Sequence, residues 1–175
     1  IDRIPPHSKV VVGGRHATTC VEEFFAAAPN IDIIVRGDGE EIIRDIALGL
    51  PLKDIPGISY REDSRIIHNK IRDLRSLDDA VYPNRKLRQV KYRLLYKNID
   101  LGQGVDFIST SRGCPYNCKF CTFTNNPMGQ KRNWSGRSAS SVVEELKTID
   151  AGFVFVVDDN FAVDMKRIEK ICDLI

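Results

Sequence analysis

Ser111-Arg-Gly-Cys-Pro-Tyr-Asn-Cys-Lys-Phe-Cys-Thr122 decides the reading of this chain, because it joins a strand-like stretch, Gly104-Val-Asp-Phe-Ile-Ser-Thr-Ser111, to a helix-like one. Cys114, Cys118 and Cys121 form a compact set of soft thiolate donors. Structural zinc closes with four protein ligands, and an ordinary cubane iron–sulfur cluster is also held by four cysteines. Three thiolates on a cubane leave one metal corner open to a substrate or cosubstrate. Two other readings use the same residues: two of the cysteines on zinc with a distant partner such as His68, or three ordinary thiols. The chain has no second cysteine pair and no Cys-x-x-His, so a closed zinc site lacks partners.

Beyond the cysteines comes a loop rich in glycine and asparagine. Ser138 to Ile149 then carries Val142, Val143, Leu146 and Ile149 at helical spacing. Ser138 or Ser140 is its expected cap and Gly152 its stop, with Glu144 and Glu145 along it. Phe153-Val-Phe-Val-Val157 is an unbroken apolar run, which predicts a parallel strand buried on both faces. Asp164 to Ile175 carries Ile168, Ile171, Cys172 and Ile175 and predicts another helix. Strand, cysteine loop, helix, strand, helix is the order of the start of a βα barrel, with the loop at the strand ends that carry chemistry in such folds.

The first half differs. Lys9-Val-Val-Val-Gly-Gly-Arg-His16 predicts a buried strand ending in paired glycines, with Thr18 or Thr19 opening a helix that holds Val21, Phe24 and Phe25. Ile31-Asp-Ile-Ile-Val-Arg-Gly37 predicts a second strand, and Gly39 to Gly49 a second helix. Alternating strand and helix implies a doubly wound sheet, and glycines at strand ends let a ligand approach the backbone closely. Pro56 to Arg61 and Arg65 to His68 flank a polar turn and predict a hairpin. The segment from Leu74 to Pro83 reads as a crossing or linking stretch. From Arg85 to Lys97 the chain is basic, with Tyr92 and Tyr96 interleaved; such a run raises RNA as a partner, but a solvated linker face is the stronger reading.

Phe120, just before the last cysteine, completes a pattern that resembles the radical S-adenosylmethionine superfamily, Cys-x-x-x-Cys-x-x-Cys with an aromatic ahead of the third cysteine. The resemblance implies a 4Fe–4S cluster on Cys114, Cys118 and Cys121. S-adenosylmethionine would chelate the fourth iron through its methionyl amine and carboxylate. One electron would cleave the sulfonium to a 5′-deoxyadenosyl radical, with Phe120 near the adenine. In that superfamily the end of the next strand helps hold the methionyl amine, often through a Gly-Gly-Glu-like segment. Here the segment is Asp158-Asp-Asn160, so the carry-over is by position. Asp159 or its adjoining backbone is the expected amine contact; the alternative is that it caps the following helix or accepts hydrogen bonds from loop amides. Arg137-Ser138 matches the end of an Arg-x-Arg-Ser pattern in the cobalamin-linked branch, where Ser135 replaces the earlier arginine. That makes Arg137 the expected partner of the S-adenosylmethionine carboxylate, while Arg132 reads as a solvated loop residue.

The two glycine-bearing segments of the first half resemble the last part of a cobalamin-binding domain fused ahead of such enzymes. The resemblance sets Gly13 and Gly14, and secondarily Gly37 and Gly39, against the nucleotide tail of cobalamin. That domain's earlier Asp-x-His-x-x-Gly and serine-containing segments have no match. His16 reads as an ordinary polar contact. The fold expected is thus α/β: the C-terminal part of a doubly wound, Rossmann-like cobalamin-binding sheet over 1–72, a linker over 73–103, and the first βα units of a truncated radical S-adenosylmethionine barrel over 104–175. The chain reads as a fragment that is inactive alone. The implied parent is an enzyme acting on a small organic substrate by methyl transfer or oxidative cyclisation, with an electron donor of the flavodoxin or ferredoxin type. Methylthiotransferases of the superfamily act on transfer RNA but carry extra cluster cysteines in the leading domain, where this chain has only Cys20. A non-catalytic metal- or cobalamin-binding module is the other class of reading.

Composition sets the outer limits. The 175 residues, 42% hydrophobic, suffice for one good core or two small ones. A net charge of +2 gives no strong electrostatic partner. No apolar run is long enough to span a bilayer. Five cysteines with three grouped fit a reducing cytoplasm better than a disulfide framework.

Overall fold

The computed structural model of the protein describes residues 5, 7–63, 65–121, 128–130 and 133–175. Arg132, read above as a loop residue, lies outside them. The chain divides into two units, Ile1–Leu74 with Asn117–Lys131, and Arg75–Tyr116 with Arg132–Ile175.

The first unit is built on a four-stranded sheet in the order β1 (Val11–Val12), β2 (Ile33–Val35), β3 (Ile58–Glu62), β4 (Arg65–His68). β1 and β2 are parallel, and β2–β3 and β3–β4 antiparallel. The run Ile33-Ile-Val35 is buried throughout because helices cover both faces. Ile33 and Val35 pack with Ile42 of α3 (Glu40–Ala47), while Ile34 packs with Ala17 of α1 (Arg15–Thr19) and with Val21 and Phe25 of α2 (Val21–Ala27). The helix expected to open at Thr18 or Thr19 is two: the short α1 ends at Thr19, and α2, which holds Val21, Phe24 and Phe25, opens only at Val21. Gly14 takes φ +94°, in which the chain can turn from strand to helix at once. The hairpin between β3 and β4 forms as expected, turning through Asp63 at φ 45°.

The second unit holds a three-stranded sheet in the order β5 (Tyr92–Tyr96), β6 (Ile99–Ile108), β9 (Phe153–Val156). β5–β6 is a hairpin, so the stretch read as linker, 73–103, contributes strand to this sheet. Its turn, Lys97-Asn98, has both residues at positive φ, a conformation that asparagine tolerates and that suits a two-residue hairpin turn. β6 and β9 are parallel and joined through α4 (Ala139–Leu146). Ser138 caps α4 by accepting from the Ser141 amide, and Asp164 caps α5 (Met165–Leu174) by accepting from the Arg167 amide. Ile108, Val142, Val143 and Ile171 form the core, with Val154 against it. β9 was expected to be buried on both faces, but Phe153, Phe155 and Val156 are exposed. Only the side bearing Val154 meets the helices of this unit.

Candidate metal centre and the loop that carries it

β6 ends at Ile108, and after a sharp turn the chain re-pairs as a short ribbon, β7 (Ser111–Gly113) against β8 (Trp134–Gly136). Cys114 follows the last residue of β7, so the ribbon fixes where the cysteine loop begins. By sequence this region reads as plain loop, since nothing in Trp134-Ser-Gly136 alternates in a way that signals a strand.

Three successive residues after β9 hold that start. Asp158 accepts from the Thr110 amide, the Thr110 hydroxyl and the Ser111 hydroxyl, each at 2.6 Å. Asp159 accepts from the Gly113 amide at 2.8 Å. Asn160 donates its side-chain amide to Cys114 Sγ at 3.8 Å, and its carbonyl accepts from the Trp134 indole at 3.2 Å. Of the two alternatives open for Asp159, it is the loop-amide bond that appears here; the helix that follows is capped by Asp164. Asp158 and Asn160 were not singled out, although their place after a parallel strand was the available signal.

Behind the ribbon lies a layer of buried cations. Arg167 donates to the Arg137 carbonyl and to the Thr110 carbonyl, both at 2.6 Å, and its guanidinium lies 5.9 Å from the Trp134 ring centre. Burial lowers its pKa below the usual arginine value, an effect the nearby Asp158 charge opposes. Gly136 makes this layer possible: a Cβ there would meet Trp134 at 2.7 Å and Arg167 Nε at 2.8 Å. Arg137, expected on a cosubstrate carboxylate, is instead buried. It pairs with Glu145, donates to the Ser109 carbonyl at 3.1 Å and the Ser141 carbonyl at 2.9 Å, and stacks on Tyr82. The cause is Glu145, whose buried carboxylate on the inner side of α4 needs a counterion. A second one comes from the basic stretch: Arg85 reaches Glu145 at 2.7 Å and Asp106 at 3.2 Å, and Arg88 reaches Asp106 at 2.9 Å. Two of the charges that raised RNA as a partner are thus paired within the fold.

In the first unit, Cys118 and Cys121 share one turn, the Cys121 amide donating to the Cys118 carbonyl at 2.9 Å. Phe120 is 91% exposed. The far end of the loop is tied to the sheet. Buried Arg36 donates to the Met128 carbonyl at 2.9 Å and the Ile58 carbonyl at 2.8 Å; burial lowers its pKa. The Gln130 side chain accepts from the Asp38 amide at 2.7 Å and donates to the Arg72 carbonyl at 3.0 Å. Gly37, at φ +84°, gives Gln130 room to lie against it, a role that sequence reasoning did not foresee. Gly13 lies beside Val35, whereas among the described residues nothing stands within 4 Å of where a Gly14 Cβ would be.

None of the five cysteines is in a disulfide. Three of them in one short loop suit iron by softness and charge, and Cys114 already has an amide donor on its sulfur. Among the described residues, no group of three or more histidine, cysteine, aspartate or glutamate side chains is gathered to hold a metal ion. The case for a cluster therefore rests on the donors and their spacing. Among the described residues no helix is long and apolar enough to cross a membrane.

No family model matches the chain. It is 33% identical over 169 residues to an uncharacterized methyltransferase of Pyrococcus horikoshii, covering 90% of this chain and 35% of that one. It is 25% identical over 182 residues to the cobalamin-dependent radical SAM methyltransferase TokK of Streptomyces tokunonensis, covering 94% and 25%. Its fold matches that of the radical S-adenosylmethionine methyltransferase TsrM from Kitasatospora setae, solved with cobalamin and a [4Fe-4S] cluster bound. The TM-score is 0.58 at 21% identity, covering 96% of this chain and 33% of that one. The chain spans about a quarter to a third of the length of these relatives. Its cysteine motif, its sequence relatives and its mixed α/β fold agree in likening the chain to cobalamin-linked radical S-adenosylmethionine enzymes.

Proposed function

We propose that the intact protein is a radical S-adenosylmethionine enzyme whose 4Fe–4S cluster is held by Cys114, Cys118 and Cys121. The observation that carries this reading is the cysteine motif leaving the carboxyl end of β6 within the parallel β6–α4–β9 unit, the side of such sheets that bears ligands. When bound, such a cluster supplies one electron to the sulfonium of S-adenosylmethionine, whose adenine Phe120 would flank.

The chain's own residues hold and shield. Asp158 and Arg167 fix the turn ahead of Cys114. Asp159, exposed at the strand end, keeps the role of amine contact with its adjoining backbone. Arg137, paired with Glu145, acts by holding Ser109 and α4 in place. In this reading 1–72 is the last part of a Rossmann-like cobalamin-binding domain, 73–103 joins it to the barrel, and 104–175 begins the barrel. The open space at Gly14 suits the nucleotide tail of cobalamin, with Gly13 beside it. The outcome is methyl transfer or oxidative cyclisation on a small organic substrate, with a flavodoxin- or ferredoxin-type donor. Five cysteines with no disulfide among them favour a cytoplasmic setting.

Anaerobic reconstitution of the intact protein with iron and sulfide tests the reading. The expected result is a cluster whose electron paramagnetic resonance changes on adding S-adenosylmethionine, and which is lost in Cys114→Ala, Cys118→Ala and Cys121→Ala. Unchanged iron content in any of these variants would refute it.

A further inference from the structure

We propose that Asn160 is a positioning residue of the metal centre, holding the Cys114 sulfur through its side-chain amide and raising the reduction potential of whatever cluster that thiolate ligates. The inference rests on the cluster reading above and goes beyond it by assigning a tuning contact.

Three observations carry it. Asn160 Nδ2 lies 3.8 Å from Cys114 Sγ, within reach of an N–H···S hydrogen bond. The Asn160 main chain is pinned independently, because its carbonyl accepts from the Trp134 indole at 3.2 Å. The backbone ahead of Cys114 is pinned as well, through the Gly113 amide on Asp159. The backbone segments that carry donor and sulfur are therefore held together by bonds other than the N–H···S contact itself, which is the arrangement a tuning contact needs. The residue type also fits. A neutral amide donates without bringing a charge, whereas the carboxylate of an aspartate in its place would face a thiolate with a like charge.

The sign follows from charge. An N–H donor favours the form in which the ligand sulfur carries more negative charge, and reduction adds that charge. Removing the donor should make the cluster harder to reduce. One ordinary hydrogen bond corresponds to about a two- to tenfold change in the ratio of reduced to oxidised cluster at a fixed poise.

The test compares the intact protein with its Asn160→Leu and Asn160→Asp variants, each reconstituted with iron and sulfide and titrated for midpoint potential. Leucine keeps the size and the main-chain bond to Trp134 but removes the donor; aspartate keeps the shape and adds charge. Both midpoints should fall, that of the aspartate variant at least as far, with iron content and thermal unfolding close to wild type. Should the leucine variant fail to fold, the aspartate variant carries the test alone. A midpoint that stays at the wild-type value or rises in a variant that holds its cluster overturns the role of Asn160 and leaves the cluster reading standing. Wild-type protein that takes up no cluster overturns both.

Discussion

Asp158 offers the sharpest test of how the cysteine loop is held. Asp158→Ala removes the acceptor of three bonds at 2.6 Å, from the Thr110 amide, the Thr110 hydroxyl and the Ser111 hydroxyl. Thr110 and Ser111 are 1% and 2% exposed, so water cannot readily replace what is lost. Hydrogen bonds to a charged partner contribute about 1.5–3 kcal/mol each. Three at the lower end come to roughly 5 kcal/mol, and half-burial of the carboxylate with non-additivity reduces this to about 2–4 kcal/mol. That is a large share of the 5–15 kcal/mol typical of a domain. Urea unfolding of the 175-residue chain and its variant provides the assay. Trp134 is the only tryptophan in this sequence, and its ribbon pairs with the strand that begins at Ser111. Its fluorescence should report the second unit. With a denaturant slope of about 1–3 kcal/mol per molar, the midpoint should fall by about 1–2 M. Asp158→Asn, which keeps one acceptor oxygen, should fall between the two proteins. Reconstituted Asp158→Ala should also lose iron faster, since Cys114 hangs from the loosened turn. A midpoint shift below about 0.3 M, or less than about 1 kcal/mol, would refute the argument.

Two further expectations test the rest of the scaffold. The Arg88 hydrogen bonds, followed by the Phe107 amide and the Arg85 charge, hold the Asp106 carboxyl below its ordinary value of 3.8 against the cost of its burial. A carboxyl with a lowered folded pKa contributes stability above its ordinary value, and this is lost as pH falls through the folded one. Asp106→Asn should therefore be less stable than wild type at neutral pH, with the gap narrowing by about pH 3 in urea titrations; a gap independent of pH would contradict the pairing. Gly37→Ala places a Cβ 2.7 Å from Gln130 Oε1 at φ +84°. It should cost about 1–3 kcal/mol and expose residues 128–130 to limited proteolysis, whereas wild-type resistance would show that Gln130 does not depend on that space.

What the sequence determined by itself was whatever a short stretch encodes. The stretch Ile31 to Gly37 marked a strand, and its apolar run Ile33-Ile-Val35 forms one. Ser138 and Asp164 marked helix starts, because a cap is a contact between near neighbours. The cysteine spacing named a donor set for the same reason. The tertiary structure alone decided the contacts between residues far apart along the chain: Asp158 with Thr110, Arg85 with Glu145, and Gln130 with Asp38, separated by 48, 60 and 92 positions. It turned Arg137 inward because Glu145 is buried beside it, and it paired the loop ends as β7 and β8. It left Phe153 and Phe155 exposed because the helices of their unit cover only the opposite side of β9. Local periodicity records which faces of an element are apolar; which charge or surface meets them depends on closures that no local pattern encodes.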